Sequence, residues 1–104
     1  MIHADVTVRN DRILRMEVTG HADSAAYGRD LICAEVSAVM TGLCNAVDEF
    51  GYTIPLILKE GHVVIEAGDN DAHDLQVILK TGLCQLKTIE AVHSDFMKIT
   101  KMEV

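Results

Sequence analysis

The spacing of the apolar residues changes along the chain in an order that leaves few folds open. From Ile2 to Val8 they occupy every second position, which is the pattern of a strand with one buried face. The alternation resumes from Leu14 to Val18 after the turn residues Asn10 and Asp11, so we expect an N-terminal hairpin. Beyond residue 30 the spacing becomes three and four, which is typical of an amphipathic helix.

The first predicted helix has recognisable ends. Asp30 is a suitable N-cap because its carboxylate accepts hydrogen bonds from backbone N–H groups that have no partner within the helix. We expect the helix to run to about Glu49 or Phe50, where Gly51 ends it. Its apolar stripe consists of Ile32, Val36, Val39, Leu43, Val47 and Phe50, with Met40 close beside it.

The second half of the chain repeats the pattern of two strands and a helix. Thr53 to Leu58 and Val63 to Ile65 predict a second hairpin across Glu60 and Gly61, and Pro55 predicts that its strand begins there or runs along an edge. Asp69 to Asp71 offers several N-caps for a second helix, with Phe96 to Val104 as a last strand. The helix carries Leu75, Ile78, Leu79, Leu86 and Ile89 on one face, and Val77 and Cys84 in a separate small patch that could meet another subunit.

This order, β-β-α-β-β-α-β, predicts an α+β fold. We expect a mixed sheet of about five strands with the two helices packed on one face, the other face being polar or covered by a second copy. With 104 residues, 49% of them hydrophobic, and no segment typical of a linker, residues 1–104 should form a single domain.

Composition excludes several classes of function. The net charge is −7 without a block of basic residues, and the chain has two tyrosines and two phenylalanines, so we expect no direct binding of nucleic acid. The N-terminus lacks the pattern of a signal peptide, and no stretch approaches the roughly 18 apolar residues of a membrane span. We therefore expect a cytoplasmic protein without a membrane partner.

The cysteines and histidines give no sign of a disulfide framework or a cofactor. Cys33, Cys44 and Cys84 are odd in number and lack CxxC spacing, so reduced thiols are expected. No HExxH, GxxxxGK[ST] or GxGxxG motif is present, and we predict no cofactor. A metal site formed by His21, Cys33 and a third ligand such as His62 is conceivable but lacks a signature, so we predict none.

Reactive chemistry is concentrated between Thr19 and Met40. Gly20 should end the second strand, which leaves His21 at the strand end and Cys33 in the opening turns of the helix. A helix N-terminus and a neighbouring imidazole favour the thiolate that acts as a nucleophile, and acyl transfer is the matching reaction. Spacing alone leaves the ordinary alternative open, in which Cys33 is a core residue and His21 a surface residue.

Two further side chains are candidates for supporting roles. The Asp30 carboxylate would oppose formation of a thiolate at Cys33, although it caps the helix or orients His21, and capping alone is the simpler interpretation. Ser37 lies one turn beyond Cys33, within reach of the sulfur or a substrate carbonyl, whereas such a serine commonly bonds back to its own helix. Backbone N–H groups around Cys33 are the natural donors to an oxyanion.

The motifs Gly20-His21-Ala22 and Asp30-Leu31-Ile32-Cys33-Ala34, with Gly28 between them and Val36-Ser37-Ala38 after them, resemble the ribosomal-processing cysteine protease family, known as Prp or YsxB-like. The later segment GLCQLKTIEAVHSDFMKI resembles the second helix and last strand of that family. The similarity covers nearly the whole chain, with Glu35 standing where alanine is usual.

The resemblance implies a homodimeric bacterial protease with His21 and Cys33 as its catalytic dyad. It implies removal of the N-terminal extension of the twenty-seventh protein of the large ribosomal subunit. By position, Gly20 resembles a pivot for the loop from Ala22 to Gly28, which would move when the peptide enters, and Asp30 and Ser37 fall near the active site. The alternative is a non-catalytic module that binds a peptide or assists ribosome assembly.

Overall fold

The computed structural model describes residues 1–22 and 30–104 and confirms the predicted order of elements. The two helices each span about five turns, and the strands have four to eight residues. The elements are β1 Ile2–Arg9, β2 Arg12–Thr19, α1 Leu31–Glu49, β3 Leu56–Lys59, β4 His62–Glu66, α2 His73–Val92 and β5 Met97–Glu103.

The five strands form one mixed sheet in the order β3-β4-β2-β1-β5. β1 pairs antiparallel with β2 and parallel with β5, and β4 pairs antiparallel with both β2 and β3. The pairing of Thr19 with His62 places the end of β2 beside the start of β4. This neighbourhood brings two segments that are distant in sequence to the same end of the sheet.

The alternation of β1 divides the sheet into a buried face and a polar face. Its even positions, such as Val6, are buried against the helices and its odd positions are largely exposed. On the other face Glu17 lies 2.7 Å from His62 Nε2 and 3.1 Å from Arg15 Nη1, and these contacts lower the pKa of Glu17, the hydrogen bond from His62 most strongly. The sheet face without helices is therefore polar in this region, which was one of the two possibilities predicted for it.

Three boundary predictions differ from the structure. Phe50 is 60% exposed instead of buried, because it is the C-cap of α1 and the chain turns away at Gly51 with φ +84°. None of the acidic candidates caps α2, which begins after Ala72; the Asn70 side chain instead accepts the N–H of Ala72 at 3.0 Å. β3 begins at Leu56, later than predicted, and runs along an edge of the sheet as Pro55 indicated.

Helix α1 is long and apolar enough to cross a membrane by length and composition alone, a test that the core helix of a soluble protein also passes. Its buried side chains include Val36, Met40 and Val47, which belong to the core between helices and sheet. These buried residues form the apolar face that packs in the core.

One buried polar side chain holds α2 to the sheet. Gln76 is 6% exposed, and its carboxamide accepts the N–H of Ile13 at 2.8 Å and donates to the carbonyls of Ile13 at 3.0 Å and Asn70 at 3.1 Å. These hydrogen bonds pair the backbone groups of Ile13, which lies opposite Val8, where the pairing of β1 with β2 shifts in register. The sequence pattern did not indicate this role.

We expect Gln76→Ala to lower the free energy of unfolding by about 2–4 kcal/mol, because unpaired buried groups cost about 1–3 kcal/mol each. Urea denaturation measures this change. The exposed Gln85 on the same helix provides the control, since Gln85→Ala should change stability by no more than about 0.5 kcal/mol. Equal effects of the two substitutions would contradict a structural role for the Gln76 carboxamide.

Candidate active site

The first turn of α1 fixes the position of the Cys33 thiol. Cys33 is the third residue of the helix and is partly buried. Asp30 is the N-cap as predicted, and its Oδ1 accepts the N–H groups of Ile32 and Cys33, both at 3.1 Å. The side chain of Cys33 therefore projects from an ordered helix start, where the backbone dipole favours negative charge.

The end of β2 requires glycine for two reasons. Gly20 has φ +92°, a region that side-chain-bearing residues rarely adopt, and a Cβ at this position would lie 2.5 Å from the carbonyl oxygen of Met1. The N–H of Gly20 donates to the carbonyl of Gly61 at 3.1 Å. This arrangement fixes the direction in which the chain leaves the sheet at His21.

The imidazole of His21 lies against the turn between β3 and β4. A Cβ built on Gly61 would lie 3.1 Å from His21 Nε2, which shows how closely the ring approaches the Gly61 backbone. The next residue, Ala22, is 3% exposed, and its N–H donates to the Sγ of Cys33 at 3.2 Å. The segment after β2 therefore contacts both the β3–β4 turn and the thiol.

His21 and Cys33 line one cleft, with a volume of ≈ 670 Å³, between the start of α1 and the end of the sheet. Gly20, Asp30 and Ser37 line it as well, so the structure brings together all five site residues that the sequence indicated. The remaining wall includes the end of β3 at Leu58 and Lys59 and the β3–β4 turn at Glu60 and Gly61.

The β3–β4 turn was missed as part of the site. The sequence pattern predicts only a hairpin turn at Glu60 and Gly61, yet both line the cleft, as does Lys59 at the end of β3. Their position follows from the pairing of β4 with β2, which no local pattern encodes. The only available signal was the glycine in the turn, and a glycine there is also explained by its φ of +72°.

The other two cysteines lie away from the cleft. Cys44 is buried in the core, and burial raises its thiol pKa, while Cys84 is exposed on α2. None of the three cysteines, all of which lie in the described segments, forms a disulfide. Cys33 is therefore the thiol with access to a ligand in the cleft.

His62, the conceivable third metal ligand, lines the same cleft as His21 and Cys33 and contacts Glu17. The described segments 1–22 and 30–104 contain no cluster of three His, Cys, Asp or Glu side chains suited to a metal. Glu35 is exposed and lies 3.8 Å from Nε2 of His93, at the end of α2. Of the loop from Ala22 to Gly28, residues 23–28 lie outside the described segments.

The arrangement has the parts that nucleophilic acyl transfer requires. A thiol at a helix N-terminus contacts a backbone N–H, and an imidazole opens into the same cleft. The cleft extends along apolar residues of the sheet, including Val18 and Leu58, and so offers room for a peptide.

Known proteins resemble this chain over nearly its full length. The sequence profile of the family described as Cysteine protease Prp matches residues 1–98. The ribosomal processing cysteine protease Prp of Staphylococcus aureus is 34% identical over 103 residues, which cover 95% of this chain and 97% of that protein. Its namesake from Bacillus subtilis is 35% identical over 108 residues, covering 96% of each chain.

Solved structures agree with the sequence comparison. The crystal structure of the Staphylococcus aureus protease with a covalently linked product peptide superposes with a TM-score of 0.91 at 31% identity, covering 97% of this chain and 99% of the other. The same protease in complex with a substrate peptide gives a TM-score of 0.85 at 30% identity. The chain therefore belongs to the ribosomal-processing cysteine protease family Prp and is itself a cysteine protease.

Proposed function

We propose that this protein removes the N-terminal extension of the twenty-seventh protein of the large ribosomal subunit, with Cys33 as nucleophile and His21 as general base. The observation that carries the proposal is the shared cleft, in which His21 and the partly buried Cys33 face the same space. Membership of a protease family disfavours the non-catalytic alternative.

The proposed reaction proceeds through a thioester. His21 takes the thiol proton, and the sulfur electron pair of Cys33 attacks the scissile carbonyl carbon while the carbonyl π pair moves to oxygen. The C=O bond then reforms, the C–N bond breaks, and the leaving amine takes the proton from His21. Water, deprotonated by His21, attacks the thioester in the same way, which releases the carboxylic acid and restores the thiol.

The choice of substrate rests on the relatives and on charge. The Staphylococcus aureus relative is called a ribosomal processing protease and binds both a substrate peptide and a covalently linked product peptide. A net charge of −7 favours a basic partner, and proteins that bind ribosomal RNA are basic as a class. Cleavage before assembly into the ribosome would take place in the cytoplasm.

The decisive experiment is mass spectrometry of the purified precursor before and after incubation with the enzyme. We expect one cut that releases the N-terminal extension. His21→Ala should lower kcat/KM by about 10²–10⁴-fold, the usual contribution of a general base, while leaving the fold intact by circular dichroism. His93→Ala is the matched control, because His93 lies at the end of α2, and it should cleave normally. An uncut precursor, or normal cleavage by His21→Ala, would contradict the proposal.

Gly61→Ala tests whether the position of the His21 ring matters. The new Cβ would lie 3.1 Å from His21 Nε2, so the ring must shift by a few tenths of an ångström. Because a misplacement of about 1 Å costs about 10²-fold in rate, we expect kcat to fall by about tenfold.

Gly68→Ala is the control for Gly61→Ala. Its φ of +60° imposes similar backbone strain, but nothing lies within 4 Å of the new Cβ. Steady-state kinetics of both variants, compared per folded molecule, separate strain from displacement of the ring. Equal activities would show that the contact with Gly61 has no effect on catalysis.

The proposed assembly is a homodimer without nucleic acid or membrane as a partner. Val77 and Cys84, the predicted apolar patch, are both exposed on α2, in agreement with a surface available to a second copy. Sedimentation equilibrium should give twice the chain mass of 11.4 kDa. A monomer at all concentrations would contradict this part of the proposal.

A further inference from the structure

The backbone N–H groups that usually serve a nucleophile at a helix start are already engaged here. Those of Ile32 and Cys33 donate to the Asp30 carboxylate at 3.1 Å, and that of Ala34 donates to the Asp30 carbonyl at the same distance. A donor held by a carboxylate has no capacity for a second strong acceptor. The expectation that the helix start itself supplies the oxyanion donors therefore does not fit this geometry.

The N–H of Ala22 is placed differently. It comes from the segment that follows β2, not from α1, and lies 3.2 Å from Sγ. Ala22 is 3% exposed, so water competes little for this donor. A backbone donor in such a place is preorganised, because its orientation needs no rearrangement during the reaction.

We propose that the Ala22 N–H is a catalytic group, which stabilises the thiolate of Cys33 in the resting enzyme and the oxyanion of the tetrahedral intermediate. The inference rests on the proposed function. When Sγ forms its bond to the scissile carbonyl carbon, negative charge leaves sulfur and the carbonyl π pair moves to an oxygen attached to the neighbouring carbon. A donor already in contact with Sγ is within a short shift of that oxygen.

This assignment also explains how Cys33 can carry a negative charge beside the Asp30 carboxylate. The Asp30 carboxylate disfavours a negative charge on Cys33, and its hydrogen bonds withdraw two donors from the sulfur. A donor from a different segment restores favourable electrostatics at the sulfur without weakening the cap. Gly20 and His21, which precede Ala22, then position the base and the oxyanion donor through the same short segment.

The experiment replaces the Ala22 N–H by an oxygen atom. A synthetic segment Met1–Leu43 with a backbone ester at residue 22, and with the Cys33 thiol protected during ligation, is joined to recombinant Cys44–Val104 at the native Leu43–Cys44 junction. The all-amide protein made by the same route is the reference. An ester at residue 34 is the matched control, because it removes an N–H from the same helix start without touching the sulfur.

We expect the ester at residue 22 to lower kcat by about 10²–10³-fold, the usual effect of losing one oxyanion donor, with KM nearly unchanged. The midpoint pH for alkylation of Cys33 by iodoacetamide should rise, because the thiolate loses its donor. The ester at residue 34 should leave both quantities close to the reference.

A residue-22 ester whose kcat and alkylation midpoint match those of the all-amide protein would overturn the assignment. Failure of the proposed function is recognised separately, because the folded all-amide protein would then leave the ribosomal precursor uncut. In that case the alkylation midpoint still decides whether Ala22 stabilises the thiolate: a rise supports the contact, and an unchanged midpoint refutes it.

Discussion

Cys33→Ala is expected to abolish cleavage of the ribosomal precursor, with kcat/KM reduced by about 10⁴-fold or more. The reason is chemical, since alanine has no atom that can form the thioester on which the proposed reaction depends. Cys33 is partly buried, so the loss of one sulfur atom should leave the protein folded. Mass spectrometry of the precursor after long incubation measures the residual cleavage.

Cys84→Ala is the matched control, because Cys84 is exposed on α2 and lies outside the cleft. It should cleave at the rate of the unmodified protein. Cys33→Ser separates geometry from chemistry, since it restores the size of the side chain with a far weaker nucleophile and should remain inactive. More than trace cleavage by Cys33→Ala would contradict the assignment of Cys33 as the nucleophile.

Local patterns allowed the elements of this fold to be predicted. The apolar residues recur every second position in the strands and every three or four positions in the helices, so short segments are enough to recognise both. The Asp30 cap likewise depends on N–H groups only two and three positions along the chain. The failures at element ends have the same local origin. Phe50 fits the apolar stripe by spacing, but one residue beyond the last turn the direction of the side chain no longer follows the helix.

The site required information that neighbouring residues do not carry. Its wall at Gly61 exists because β4 pairs with β2, and its sulfur donor exists because the chain leaving β2 passes over the start of α1. Both depend on which strands become neighbours, and several sheet orders satisfy the same hydrophobic pattern. Gln76 illustrates this limit, because its partners at Ile13 are 63 residues away.

The family resemblance supplied what the spacing could not. From spacing alone, Cys33 and His21 remained compatible with a core cysteine and a surface histidine. The two motifs around them indicated one site, and the cleft shows that their side chains do share a space. The resemblance did not indicate which backbone groups face the sulfur, since that depends on hydrogen bonds in the folded chain.

Gly20→Ala is expected to have a large effect on two quantities, because it disturbs both stability and the placement of His21. A side chain at φ +92° costs about 1–3 kcal/mol of unfolding free energy. In addition, the new Cβ would lie 2.5 Å from the carbonyl oxygen of Met1, a backbone atom directly before β1, so the backbone must shift. We therefore expect a loss at the upper end of this range, measured by urea denaturation.

The same substitution should lower kcat by about 10²-fold, because His21, the proposed base, follows Gly20 directly, and displacement of a base by about 1 Å lowers the rate by about that factor. Gly51→Ala is the matched control. Its φ of +84° carries similar strain, but nothing lies within 4 Å of the new Cβ, and it lies at the far end of α1, about 28 Å along the helix from the site.

Comparison of Gly20→Ala with Gly51→Ala separates the effect of backbone strain from the effect of displacing His21. Gly51→Ala should lose about 1 kcal/mol of stability and keep its activity per folded molecule, whereas Gly20→Ala should lose both. If Gly20→Ala instead loses stability alone, the turn at residue 20 serves only the fold, and the base tolerates displacement. Because Ala22 lies two residues farther on, the variant also moves the donor to Cys33, so its alkylation midpoint should rise in parallel with the loss of kcat.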